Sequence, residues 1–203
     1  MPEMHAVSRF FVNRSAARRA RREYRWIREE VQVPYGSRCL EVGCGNGDMA
    51  IRFLEGFRPV QYLATDIDPT QLRAAQLRVQ KRYPGAVPSA LVLREANMLS
   101  LPFTPDSFDV VLAFVTIHHS GPTHHNFSTV PQALSEFDRV LVPGGLLVYQ
   151  EFLHKDAIRK WLTDHGFVIE RVRRRWRLES VAARKPSRSP QDEQRSAAGR
   201  GPP

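Results

Sequence analysis

The spacing of apolar residues changes along the chain, and each change predicts an element. Over residues 14–31, Ala16, Ala17, Ala20, Tyr24, Ile27 and Val31 gather on one side of a helix turning about 100° per residue. Arg14, Arg18, Arg21, Arg25 and Arg28 form a narrow stripe on the other side. The apolar side should dock on the body of the protein and leave the arginines facing outward. Pro34-Tyr35-Gly36 then breaks the chain. From Arg38 onward strand and helix patterns alternate. Cys39–Val42 predicts a strand, Asn46–Gly56 a helix, Val60–Thr65 a strand and Pro69–Tyr83 a helix with Leu72, Ala75, Leu77 and Val79 as its apolar residues. Leu91–Leu93 is a third strand, and Asp109–Val115, apolar on both faces, reads as a buried central one. A helix over Pro131–Val140 leads through a Pro143-Gly144-Gly145 turn into the strand Leu146–Gln150. Residues 155–165 predict a helix capped near Gly166, and Phe167–Val172 with Leu178–Ala183 a closing hairpin.

Strands separated by helices imply βαβ units. The expected fold is therefore a doubly wound, Rossmann-like α/β sheet, mostly parallel, with a C-terminal antiparallel hairpin. Three segments follow: a basic N-terminal helix or cap (1–36), the α/β domain (37–185) and a tail (186–203). The tail is rich in Pro, Ser, Arg, Gln and Gly, a composition expected to be disordered.

The strongest chemical signal is Glu41-Val42-Gly43-Cys44-Gly45-Asn46-Gly47. Glycines at alternate positions follow a strand and open a helix, so a ligand can approach the main chain closely. The spacing departs from the G-x-G-x-x-G of nicotinamide and flavin sites, because Asp48 stands where the last glycine would be. Asp66 closes the second strand, where a carboxylate can accept hydrogen bonds from both hydroxyls of a ribose. No lysine-bearing phosphate loop accompanies it. The ligand implied is a nucleoside carrying a non-phosphate substituent.

With these residues in place, the chain resembles the class I S-adenosylmethionine-dependent methyltransferases, closest to the small type 11 group. The ordered motifs are the Glu41–Gly47 loop, Asp66, Asn97-Met98 ahead of Leu101-Pro102-Phe103, Asp106–Val111 leading the fourth strand, and Leu141–Gly145 before the fifth. The resemblance implies S-adenosylmethionine as cofactor. Gly43, Cys44, Gly45, Asn46 and Gly47 would line its methionine part, with Glu41 steadying the loop or the amino group. Asp66 would bind the ribose, Ile67 pack on the adenine, and Asn97 and Met98 read the adenine edge, with Asn97 replacing the commoner aspartate. Ala113 and Phe114 would face the transferring methyl group. Cys44 also reads as a small packed residue, and Asp68 as the N-cap of the helix at Pro69.

His118 and His119 follow the fourth strand, and His124 and His125 follow Gly121-Pro122. Adjacent histidines point apart and no acid lies nearby in sequence, so no metal site is expected. A catalytic base is more plausible, because methylating a hydroxyl or a protonated amine releases a proton; His118 or His119 is favoured.

Composition adds one point. The chain is formally +9, yet residues 37–150 carry 9 basic and 10 acidic residues. The excess lies in residues 1–36, with 8 against 4, and in 151–203, with 13 against 7. The basic flanks suggest an RNA contact or a protein acceptor; their bland reading is a solvated helix face and a charge-blunted edge hairpin. Tyr24 and Trp26 could instead form a lid over the cofactor. The Asn/Asp-Pro-Pro-aromatic segment shared by base N-methyltransferases is replaced by Phe114-Val115-Thr116-Ile117, which places a small-molecule acceptor first. A cofactor-binding regulator without turnover is the remaining alternative. Without an apolar run long enough for a membrane span or a signal peptide, a cytoplasmic protein is the default expectation. Oligomeric state leaves no mark on the sequence.

Overall fold

The computed structural model describes residues 6–121 and 127–187, with side chains of the first helix described from Ala17 onward. The elements run α1 (Ala6–Glu30), β1 (Arg38–Val42), α2 (Asp48–Gly56), β2 (Gln61–Asp66), α3 (Pro69–Arg82), β3 (Leu91–Glu95) and β4 (Phe108–Phe114). After a short 3-10 turn at Ile117–His119 come α4 (Val130–Val140), β5 (Leu141–Glu151), α5 (Lys155–Asp164), β6 (Val168–Arg175) and β7 (Leu178–Arg184). Seven strands among the described residues form one sheet in the order β3-β2-β1-β4-β5-β7-β6. β1 to β5 pair in parallel, and β7 runs antiparallel to both β5 and β6.

Strand periodicity sorts the apolar residues onto two faces. Leu40, Val42, Val111 and Leu147 point to one side and meet Leu134 and Phe137 of α4 and Ile158 of α5. Cys39, Val110, Leu112 and Val148 point to the other and meet Trp26 and Ile27 of α1 and Phe53 of α2. Each such large side chain contributes roughly 1.5–3 kcal/mol on burial. Helix α1 therefore shares the domain's second core. Trp26 is 1% exposed and belongs to it, which corrects the lid expectation. Tyr24 packs edge-on against Phe53 and Phe57. Arg18, Arg21, Arg25 and Arg28 are exposed, as the helical spacing predicts.

Local chemistry accounts for several boundaries. The Asp68 carboxylate accepts from the Thr70 N–H at 2.8 Å and caps α3, with Pro69 in the first turn. The start of β1 is pinned to β4 by Arg38, whose backbone N–H and guanidinium both bond Asp109. Pro143-Gly144-Gly145 departs from expectation, because it lies inside the long strand β5 rather than ahead of it. Gly144 has φ 75 there, and the β4–β5 register slips between Phe108 and Val110. The strand continues through this irregularity because Arg184 donates to the Gly144 carbonyl and the Lys185 N–H to that of Gly145. Leu77, counted as apolar helix face, is exposed instead. Among the described residues no helix is long and apolar enough to cross a membrane. His124, His125 and the tail from 188 lie outside the described residues.

Candidate active site at the carboxyl edge of the sheet

The loop between β1 and α2 folds over the ends of β2 and β4. The Cys44 N–H donates to the Thr65 carbonyl at 2.8 Å, and the Thr65 hydroxyl donates to the Glu41 carbonyl at 2.8 Å. Gly43 has φ 69, and a Cβ built there would lie 2.1 Å from Thr116 Oγ1, so glycine is required where this loop abuts the end of β4. Gly45, at φ 53, is different: a Cβ would meet only Gln71 Oε1, at 4.0 Å. Its bare face opens onto space, which suits close approach by a ligand. Asn46 Oδ1 accepts weakly from the Asp48 N–H at 3.4 Å, and Asp48 pairs with Arg78 at 2.6 Å, anchoring the start of α2 to α3.

Asp66 is locked to this loop. Its Oδ2 accepts from the Gly45 N–H at 2.9 Å and its Oδ1 from the Asp68 N–H at 3.0 Å. Burial pushes the carboxyl above its ordinary range, and these two N–H bonds act against that push. Beside it, Ile67 is 44% exposed, an apolar side chain held at the rim. Asn97 is exposed and accepts from the Leu99 N–H at 2.9 Å, forming a tight turn.

The remaining expected cofactor residues are placed differently. Glu41 is buried beneath the loop and engages the Tyr62 hydroxyl at 2.9 Å rather than a loop N–H. Burial raises its carboxyl to about 8 despite the Tyr62 bond. Cys44 is buried and its thiol is pushed well above the usual range, an inert packed residue. Met98 turns its side chain into the core below α4. Ala113 is 0% exposed in the same core, so its side chain does not face the cleft, whereas Phe114 is half-buried against the opposite core.

The two histidines part company. His118 is 4% exposed, and its Nδ1 lies 2.7 Å from Glu151 Oε2. Glu151 is wholly buried, and its other oxygen accepts from the Ile117 N–H at 2.7 Å. His119 is exposed, its ring 4.0 Å from that of His118. The acid missing near the histidines in sequence is thus supplied by the last residue of β5. Sequence reasoning ends that strand at Gln150 and misses Glu151, as it misses Thr116. An acid closing an otherwise apolar strand was the available signal. Among the described residues no group of three His, Cys, Asp or Glu could hold a metal ion.

A glycine loop joined to an acid at the end of the second strand, on a sheet of this order, defines an α/β protein built to hold a nucleoside-type cofactor. The type 11 methyltransferase-domain family model matches residues 40–149. Among curated proteins, the phthiotriol/phenolphthiotriol dimycocerosates methyltransferase of Mycobacterium leprae (strain TN) is 33% identical over 129 residues, 64% of this chain and 43% of that protein. The demethylmenaquinone methyltransferase of Thermus thermophilus is 32% identical over 136 residues, 64% of this chain and 55% of that protein. The chain spans roughly two fifths to just over half of the length of the relatives it matches. Solved structures share the fold: a SAM-dependent methyltransferase from Aquifex aeolicus has TM-score 0.63 at 16% identity, covering 83% of this chain and 88% of its own. The cyclase SpnF has TM-score 0.68 at 18% identity, covering 82% of each chain. This chain belongs to the type 11 family of class I methyltransferases, whose cofactor is S-adenosylmethionine.

Proposed function

We propose that this chain methylates a small molecule bearing an ionisable hydroxyl or an activated ring carbon, with His118 as the base. The buried His118–Glu151 pair at the cofactor edge of the sheet carries this reading. The cofactor residues fit: Gly45 presents a bare face, Asp66 an acceptor carboxylate and Ile67 an exposed apolar side chain. The loop Gly43–Gly47 and Asp66 would hold S-adenosylmethionine, with Ile67, Asn97 and Phe114 at the rim. When bound, the cofactor supplies a methyl group already activated by its sulfonium.

The protein's own residues then have three tasks. Glu151 accepts from His118 Nδ1–H, which fixes the orientation of the ring and the tautomer in which Nε2 is the basic nitrogen. Burial of the pair keeps water from competing with that transfer. The Gly43–Thr116 contact sets how closely the cofactor loop sits to the turn bearing His118, and so orients acceptor against donor. Relatives named for a demethylmenaquinone, a 2-phytyl-1,4-naphtoquinone and a demethylrifamycin support a small-molecule acceptor with a long chain or a hydroxylated ring.

The test is methyl transfer from labelled S-adenosylmethionine to reduced demethylmenaquinone and related hydroxylated rings. Transfer that drops about 100-fold or more in His118→Ala, with S-adenosylhomocysteine binding retained, is the expected result. Binding without transfer to any of these acceptors or to fractionated cell extract would leave the regulatory alternative standing.

A further inference from the structure

We propose that the tip of the β6–β7 hairpin docks this protein on an anionic phospholipid bilayer, presenting the active-site edge to the membrane. The inference rests on the methyltransferase reading above and names where its long-chain acceptor is met.

The strand register places the tip. Glu151, at the end of β5, pairs with Glu179, which in turn pairs with Arg174. The two-residue turn Trp176-Arg177 therefore projects beyond the same sheet edge that carries His118 and Glu151. Trp176 is 99% exposed, and it sits at φ 56, a conformation that glycine adopts without strain and a bulky residue does not. A strained turn that holds an indole entirely in solvent has no rationale in folding. Interfacial placement suits such a ring, whose apolar body and N–H belong at the headgroup level.

Charge points the same way. Arg175 and Arg177 flank the indole and make no ion pair among the described residues. Lys155 of α5 reaches the Arg177 carbonyl at 3.3 Å, adding a cation at the base of the tip. Arg22 and Arg25 of α1 line a cleft with Arg173, Arg174 and Arg175. Of the acids facing this patch, Glu23 and Glu179 are buried and paired with Arg173 and Arg174. Glu29 and Glu30 line the same cleft, and the exposed Asp156, paired with Arg159, also acts on Arg174, so the cations of the patch still outnumber its exposed acids. A single protruding indole in a cationic patch fits a bilayer better than RNA, which is usually held on several aromatic rings lining a groove.

Flotation with phosphatidylcholine vesicles containing phosphatidylglycerol, against phosphatidylcholine alone, tests this. The wild-type chain should float only with the anionic vesicles, and salt should release it. Replacing Arg175 and Arg177 by Gln should weaken partition about twentyfold or more. Trp176→Gly should also weaken it and abolish a blue shift of tryptophan emission on vesicle addition. This variant relieves the turn strain, so an unchanged or higher Tm certifies its fold. No preference for anionic vesicles, or partition indifferent to these variants, overturns the proposal. So does single-stranded RNA binding that the same variants abolish while vesicles are ignored. Flotation is read without turnover. Absence of flotation in a chain that methylates a soluble short-chain acceptor overturns docking alone. Flotation without any transfer supports docking and overturns the reading of the cleft.

Discussion

Thr116 packs so closely on Gly43 that no side chain fits at Gly43. Gly43→Ala adds a Cβ at φ 69 against Thr116 Oγ1 and should cost roughly 2–4 kcal/mol, seen as a lowered denaturant midpoint. Glu41 makes a prediction of opposite character. Its carboxyl holds a proton up to about 8 in the folded chain, against 4.5 ordinarily. Between those values the unfolded chain binds fewer protons than the native one. This group therefore makes stability fall as pH rises through that window, with no further change outside it. Glu41→Gln keeps an acceptor for the Tyr62 hydroxyl and removes the titration. The Tm difference between variant and wild type should grow as pH rises from 5 to about 8 and level off above. Glu151→Gln belongs with these. Its amide would turn a donor toward His118 Nδ1 and favour the wrong tautomer, so kcat should fall on the order of 100-fold with KM little changed.

At the scale of elements, periodicity carried most of the fold. The strands β1 to β4 and helices α2 to α4 fall within a residue or two of where spacing and turn residues place them. Asp68 shows why: its cap is a local bond, to a residue two positions on, and such bonds are readable from sequence. Asp68→Ala should cost about 1 kcal/mol of stability, measured by chemical denaturation, while leaving S-adenosylhomocysteine affinity nearly unchanged. The glycines inside β5 were illegible for the converse reason. Pro143-Gly144-Gly145 carries the composition of a turn, and it stays in the sheet only because Arg184 and Lys185, some forty residues later, bond the Gly144 and Gly145 carbonyls. The same holds in the site. The glycine loop and Asp66 announce themselves locally, whereas the His118–Glu151 pair joins the turn after β4 to the end of β5, 33 positions later. The family resemblance assigns Ala113 and Met98 to the cleft, and the packing sends their side chains into the core.

For the molecule as a whole, charge was legible in amount and not in arrangement. Composition placed the excess in the flanks; only the folded chain brings Arg22 and Arg25 of α1 beside Arg173, Arg174 and Arg175 of β6. Ligand linkage gives a global check: S-adenosylhomocysteine at about 100 times its Kd should raise stability by about 2.7 kcal/mol, and a thermal scan showing no upward shift would remove the cofactor assignment.

The buried carboxylate of Glu23 in α1 accepts from Ser180 of β7 at 2.7 Å and pairs with Arg173 of β6. Its partners are made some 150 residues after it. During synthesis, α1 leaves the ribosome with Trp26 and Ile27 uncovered, and Glu23, with only Arg19 of its own helix nearby, lacks its Ser180 and Arg173 partners until the last hairpin emerges. The final strands thus close the first helix as well as the sheet. A nascent chain stalled before residue 168 should be cut by protease within α1, and one extended past 184 should resist.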